Sequence, residues 1–225
     1  VTGAIVLSFL AYRRKKRRQM VIQEAQKQQA IQALRSVQAQ LNPHFIFNAL
    51  TSIQGLVNRG DTDGANKYLS AFSVLMRNTL TAHEQLMGSL HQEFRAMDTY
   101  LSLERLRFHF RFQLDIADGL DNLEIPRLLL QPIVENAVKH GVSSLRDQGF
   151  ILLKATRNET DLLISIEDNG PGFTHAATGQ GYGLRLTSDR IQLLNQLYPS
   201  TPITLTHTGG VQGTTLTFIF SKWLA

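Results

Sequence analysis

Leu130-Gln-Pro-Ile-Val-Glu-Asn-Ala-Val-Lys-His-Gly141 reads as the opening of a helix, with proline near its first turns and apolar residues on one side. We expect helix from about Pro126 to His140. At 100° per residue, Asn136, Lys139 and His140 then share an arc of about 100°. An amide oxygen, an ammonium and an imidazole facing one way suit a metal–triphosphate: the amide can ligate Mg²⁺ and the cations offset phosphate charge. Taken alone, the segment is equally a solvated helix end.

Downstream, Leu162 to Glu167 reads as a strand running into Asp168-Asn-Gly-Pro-Gly-Phe173, an acid at a strand terminus followed by a glycine turn. Gly179-Gln-Gly-Tyr-Gly-Leu184 then opens a helix running to Leu197. Glycines there let backbone amides approach phosphate, and a helix N-terminus adds a favourable dipole. The spacing is not that of a dinucleotide fingerprint, which wants glycine where Leu184 stands, and no Gly-Lys-Ser/Thr phosphate loop exists. Strands are also expected at Phe112 to Ile116, Phe150 to Ala155, Ile203 to Thr206 and Thr214 to Phe220. The fold class is therefore a two-layer α+β domain with helices on one face of a mixed sheet.

Upstream the chain is helical. Residues 19–42 carry an apolar stripe at Ile31, Leu34, Val37 and Leu41, as in a coiled-coil-like connector. Pro43 forces a kink or restart. A helix from about His44 to Asn58, the turn Arg59-Gly-Asp-Thr-Asp-Gly64 and a helix from about Ala65 to Thr81 form a hairpin. Ile46, Leu50, Ile53 and Val57, with Leu69, Phe72, Leu75 and Met76, are the expected core of a dimeric four-helix bundle. A further helix, Leu90 to Phe108, leads into the second half. His44, Asn48, Thr51, Gly55 and Asn58 form an uncharged stripe on the other side of the first helix. One imidazole nitrogen is an available nucleophile near neutral pH; on position alone, the better reading of His44 is an ordinary surface histidine.

These segments together resemble a known family. Asn136 with Lys139, then Asp168-Asn-Gly-Pro-Gly172, then Gly179-Gln-Gly-Tyr-Gly-Leu184 match the asparagine box and the two glycine boxes of the gyrase–Hsp90–histidine kinase–MutL superfamily, whose ATP-binding domain is a two-layer α/β sandwich. Gln40-Leu-Asn-Pro-His-Phe-Ile-Phe-Asn-Ala-Leu50 looks like the phosphoacceptor box of the LytS/YehU-type sensor kinases, and Tyr100-Leu-Ser-Leu-Glu-Arg-Leu-Arg-Phe108 resembles that branch as well. The resemblance implies ATP and Mg²⁺ as cofactors, with Asn136 as metal ligand, and Lys139 and His140 beside the phosphates. It further implies Asp168 on the adenine amino group, Gly170 and Gly172 shaping the adenine pocket, Gly179, Gly181 and Gly183 as the lid hinge before Leu184, and Thr214 closing the pocket. His44 would accept the phosphoryl group, with Asn48 orienting the ring. The partners implied are a second copy of the chain and a response regulator, often of LytTR type. Phe45 replaces the acid that follows the acceptor histidine in the best-known kinases, so the proton acceptor is unassigned. A hydrolytic ATPase of the same superfamily would place a water-activating Glu where Pro132 stands, and an inactive dimeric adaptor would have lost the nucleotide residues, which are present.

The chain has 225 residues, 43% hydrophobic, a net charge of +5 and no cysteine, which excludes disulfides and thiolate chemistry. The charge is local. Without the basic run Arg13-Arg-Lys-Lys-Arg-Arg18, 17 of the 23 basic residues remain against 18 acidic ones, so direct nucleic-acid binding loses its support. That run follows an apolar segment, residues 1–12, which as a helix covers roughly 18 Å, short of a bilayer core. The order of the two blocks fits the end of a transmembrane helix with a positive-inside stop; the alternative is a solvated basic arm. Since the chain begins with Val1, we expect a piece of a longer bacterial membrane protein, on its cytoplasmic side. The expected organisation is a membrane remnant and stop at 1–18, a connector at 19–42, dimerisation and phosphoacceptor helices at 43–109, and an ATP-binding domain at 110–225.

Overall fold

The computed structural model describes residues 12, 13, 15–17, 20, 28, 29, 31, 32, 34, 43–82, 85–172, 182–209 and 213–224. Helix α1 (Pro43–Asn58) begins at the proline, whose missing N–H is no loss in a first turn, and α2 (Thr62–Ala82) follows the Gly60 turn. Strand β1 (Met87–Ser89) leads into α3 (Leu90–Phe108). The start of α3 is fixed by a capping box: the Gln92 N–H donates to Ser89 Oγ at 3.2 Å, and the Ser89 N–H donates to Gln92 Oε1 at 3.2 Å. Its end turns at His109, in the left-handed region at φ 58°.

Next come β2 (Arg111–Ile116), β3 (Glu124–Pro126), the short helix α4 (Gln131–Asn136) and a π-helical turn at Ala137–Val142. Strands β4 (Phe150–Asn158) and β5 (Asp161–Asp168), helix α5 (Tyr182–Leu197), and strands β6 (Ile203–Gly209) and β7 (Thr214–Phe220) complete the order. The five-stranded sheet runs β2-β4-β5-β7-β6, with β2 parallel to β4 and the other pairs antiparallel.

Register puts one face of this sheet in the core. Leu153 opposes Ile166, Ala155 opposes Ile164, and across the next pair Ile164 opposes Phe218 and Leu162 opposes Phe220; all are buried. Alternate residues on the same strands are more exposed, the two-residue period of a sheet covered on one side. The π-turn packs on β4 and β5, and α5 packs on α4.

One expectation needs correction. Pro126 begins no helix; it closes β3, which pairs with β1 in a separate two-stranded sheet, and the helix starts at Gln131 with Pro132 in its first turn. A proline is acceptable at that strand end because no further ladder bond is required of it. In α1, Leu50 and Val57 are 53% and 58% exposed, and the hairpin interior holds Ala49 and Leu56, with Ile53 packed against it. In α2, Leu69 is 49% exposed while Ala65, Tyr68 and Leu75 are buried. Within one chain a two-helix hairpin buries only one stripe of each helix, so the second apolar stripe faces outward. In the connector, Leu34 is buried and Ile31 half-buried, whereas Val37 and Leu41 lie outside the described residues. Among those residues no helix is long and apolar enough to cross a membrane; residues 1–11 lie outside them.

A buried polar knot ties three elements together. Leu128 holds φ 59°, unusual for a bulky residue and costing about 1–3 kcal/mol. Its N–H donates to Glu93 Oε2 of α3 at 2.9 Å, and its carbonyl accepts from Arg190 of α5 at 2.8 Å. A second Arg190 nitrogen donates to the Arg127 carbonyl, and Arg127 Nε stands 3.7 Å from Glu93. Glu93 and Arg190 are 2% and 3% exposed. Burial pushes the Glu93 carboxyl up, opposed by the Leu128 N–H and both arginines, and burial lowers Arg190 to about 10. Removing one partner of a buried charge cluster leaves the others uncompensated. Glu93→Ala is therefore expected to cost about 3–5 kcal/mol in urea unfolding, whereas Asp98→Ala, on the exposed side of the same helix, stays within about 0.5 kcal/mol.

Candidate functional site

Strand β5 delivers Asp168 to the end of the sheet, and the β5–β7 register sets it opposite Thr214. Beyond the strand the chain turns sharply: Asp168 Oδ1 accepts from the Gly170 N–H at 2.9 Å, and the Gly170 carbonyl accepts from the Gly213 N–H at 2.7 Å. Asn169 secures the turn from outside. Its Oδ1 accepts from the Phe150 N–H and its Nδ2 donates to the Gln148 carbonyl, both at 2.7 Å.

The turn is pressed against the π-turn. A Cβ on Gly170 would lie 2.5 Å from backbone atoms of Gly141, and a Cβ on Gly141 would lie 2.6 Å from the Asp168 carboxylate. Neither glycine has positive φ, so contact distance, and not backbone conformation, demands glycine there. Gly172, by contrast, needs φ 75°. Burial pushes the Asp168 carboxyl up, and the Gly170 N–H draws it back.

An open cavity of about 970 Å³ adjoins this turn, lined by Asp168, Gly170, Pro171, Gly213 and Thr214, with Ser144 and Gln148 across from them. Asn136, Lys139 and His140 are not on its wall. They stand at the end of α4 and on the π-turn, Asn136 half-buried and Lys139 and His140 exposed. The π-turn is closed by the Ser143 N–H donating to the Val138 carbonyl, an i to i+5 bond; such widened turns are frequent at functional sites. At the start of α5, a Cβ on Gly183 would lie 3.2 Å from Asn136 Nδ2, which puts the asparagine against the helix that follows the second glycine box. Leu184 packs half-buried against the core. Two sets of expected residues thus sit on either side of Gly141: Asp168, Gly170 and Thr214 on one, Asn136, Lys139, His140 and Gly183 on the other. Gly179 and Gly181 lie outside the described residues. His44 and Asn48 are on α1, their side chains outside the description.

Comparison with known proteins identifies this arrangement. Residues 32–112 match the family described as histidine kinase, and residues 121–223 match the family of histidine kinase-, DNA gyrase B- and HSP90-like ATPases. Sensor histidine kinase BtsS of Escherichia coli is 35% identical over 161 residues, 71% of this chain and 28% of that protein. Sensor histidine kinase YesM of Bacillus subtilis is 31% identical over 182 residues, 78% of this chain and 30% of its own length. Sensor protein LytS of Staphylococcus saprophyticus is 33% identical over 190 residues, 78% of this chain and 32% of its own. This chain belongs to the histidine kinases. It spans less than a third of the length of these relatives. Among solved structures, the histidine kinase AdeS of Acinetobacter baumannii aligns with 80% of this chain and 98% of its own at 14% identity, with a TM-score of 0.48.

In this histidine kinase the matched kinase half meets the matched ATPase half where α3 packs on the π-turn. Glu135, beside Asn136, accepts from Gln131 Nε2 at 2.9 Å, and burial pushes it up to about 7, with Gln131 and Lys139 drawing it back. Two residues of the site escaped the sequence reading. Gly141 was visible only as the glycine after Lys-His, and its role appears once Asp168 is set against it. Asn169 was visible as the middle of Asp-Asn-Gly, a turn signal that says nothing about bridging to Phe150 and Gln148. Gly170→Ala tests the geometry: with backbone of Gly141 in its way, the methyl must push the turn off the π-turn. We expect a loss of about 1–3 kcal/mol of stability, together with loss of adenine-nucleotide binding, measured by thermal unfolding with and without ATP.

Proposed function

We propose that this chain is the kinase core of a membrane sensor histidine kinase, and that it transfers the γ-phosphoryl group of ATP to His44. The observation that carries the reading is the meeting of Asn136 with Gly183 next to the Gly141–Asp168–Gly170 cradle. It brings a polar amide close to a half-buried acid through a glycine-lined contact, with Lys139 and His140 exposed on the adjoining turn.

Asp168 would accept a hydrogen bond from the adenine amino group, with Gly170 and Gly172 clearing the space and Thr214 closing it. The cavity volume is of the size that holds a nucleotide. Asn136 would hold Mg²⁺ and Lys139 and His140 would face the phosphates, while Gly179, Gly181 and Gly183 with Leu184 frame the lid. Among the described residues no cluster of three or more His, Asp or Glu could bind a metal. A single amide therefore suits an ion that keeps waters and phosphate oxygens as its other ligands. Mg²⁺ bound there supplies charge neutralisation on the phosphates.

At His44 a nitrogen–phosphorus bond forms as the bond from the γ-phosphorus to the bridging oxygen breaks, and ADP leaves. The imidazole proton goes to a base that the residues do not identify, since Phe45 follows His44. Asn48, one turn along α1, would orient the ring. The phosphohistidine then supplies the phosphoryl group to an aspartate of a response regulator, of LytTR type if the resemblance to the LytS/YehU-type branch extends to the partner. Outward apolar residues Phe47, Leu50 and Val57 on α1, and Leu69 and Val74 on α2, support pairing of two hairpins as a homodimer. The apolar segment and basic run at 1–18 support attachment to a bacterial membrane, with the kinase core on the cytoplasmic side. Hydrolysis to free phosphate is disfavoured because Pro132 stands at the water-activating position and Glu135 is engaged by Gln131.

His44→Gln keeps size and some hydrogen bonding but removes the nucleophile. It is expected to abolish acid-labile labelling from radiolabelled ATP while nucleotide affinity is unchanged, and His140→Gln to retain labelling on His44. Labelling that survives His44→Gln and disappears in His140→Gln would relocate the acceptor to the ATP-binding half. In the same series Asp168→Asn weakens ATP binding by about 1–3 kcal/mol; undiminished affinity contradicts the adenine assignment.

A further inference from the structure

Helices α4 and α5 pack against each other, and two polar contacts, one at each end, show that they run in opposite directions. At one end, Gly183 in the first turn of α5 stands against Asn136 at the end of α4; a Cβ on that glycine would lie 3.2 Å from Asn136 Nδ2 and 3.4 Å from its Oδ1. At the other end, Arg190 of α5 donates to the Leu128 carbonyl at 2.8 Å and to the Arg127 carbonyl, both just ahead of α4. The step from Gly183 to Arg190 is about 10 Å of helix and nearly two whole turns, so both lie on one face. Thr187 sits between them on that face, buried, its Oγ1 donating to the Gly183 carbonyl at 2.9 Å.

Burying Arg190 is a poor way to gain stability. Its guanidinium is 3% exposed and its Nε finds no acceptor among the described residues; apolar side chains of similar volume often serve as well as buried ions. What the planar fork supplies is direction: two N–H groups on two successive carbonyls fix a helix along its axis as well as across it. We propose that Arg190 is a positioning residue for the metal end of the nucleotide site, setting how far α5 lies along α4 and hence the gap between Gly183 and the Asn136 amide. The inference rests on Asn136 as the Mg²⁺ ligand. The gap is narrow, and a slip of α5 by the rise of one residue, about 1.5 Å, carries Gly183 off the amide. The adenine end has its own anchors: Asn169 is tied to Phe150 and Gln148, and the Gly170 carbonyl accepts from the Gly213 N–H. None of these residues is a partner of Arg190, so the two ends of the site are separable.

The test measures, by calorimetry on the full 225-residue chain, how much Mg²⁺ tightens binding of β,γ-imido-ATP relative to EDTA, and in parallel the affinity for adenosine. Arg190→Met alone strands the Glu93 carboxylate, so it is made in a Glu93→Gln background, whose amide oxygen still accepts from the Leu128 N–H. Against Glu93→Gln alone, the double variant is expected to show a Mg²⁺-dependent gain about tenfold smaller, the scale on which groups that orient a metal ligand act, and to bind adenosine with unchanged affinity. Asn136→Ala is the reference and is expected to lose the gain as well. If Asn136→Ala loses the gain and the double variant keeps it, the positioning role is overturned while the nucleotide site stands. Equal losses for adenosine and the triphosphate overturn it too, because they mark a general loosening of the fold. If Asn136→Ala keeps the gain, the metal assignment itself fails and the inference falls with it. Should the background or the double variant not fold, Arg190→Lys takes their place. It keeps a positive charge beside Glu93 but has no planar fork to span both carbonyls, and the same smaller Mg²⁺ gain with intact adenosine binding is required of it.

Discussion

The Glu93 carboxylate is the constraint on which the site geometry depends. It stands inside the protein, held by the Leu128 N–H and facing Arg127 and Arg190. Leu128 would not hold a left-handed conformation unaided, and Arg190 would not leave water without acceptors. Each makes the other tolerable. The turn they stabilise runs directly into α4, and Arg190 belongs to α5. The knot thus fixes the helix that carries Asn136 relative to the helix whose first turn holds Gly183. Trp223 adds a second tie, its Nε1–H donating to the Glu124 carbonyl of β3 at 2.7 Å.

Close approach at glycine then does the rest. The π-turn sits low on the sheet because Gly141 presents no side chain to Asp168, and the turn after β5 rises against it because Gly170 presents none to Gly141. Antiparallel register places Asp168 and Thr214 side by side without any contact between their side chains being needed. An acid is thereby kept in a half-buried recess with its donor, Gly170, already in place. Lys139 stands in contrast on an exposed turn, where charge costs little to maintain.

Much of this was legible in the residues. Alternation in β4, β5 and β7 is strong because one face of the sheet is covered and the other is not, and the glycine clusters announced backbone approach before any contact was known. The helix at Gln131 was read five residues too early, since proline serves a strand end at Pro126 as well as a helix start, and only pairing with Met87 decides between them. Periodicity marks Leu50 and Val57 as part of an apolar stripe without saying which surface covers it, and within the single chain both are exposed. The knot was invisible for a different reason. Arg190 and Leu128 are 62 residues apart, and nothing local separates a buried Glu93 or Arg190 from a solvated one.

The proposed function joins two halves of different character, a helical hairpin that carries His44 and a sheet domain that carries Asn136 and Asp168. The direct measurement is to incubate the wild-type chain with γ-labelled ATP and Mg²⁺, digest it under alkaline conditions that preserve phosphohistidine, and identify the labelled peptide. The account predicts acid-labile label on the peptide containing His44. Label on any other peptide, or release of inorganic phosphate with the protein unlabelled, contradicts it.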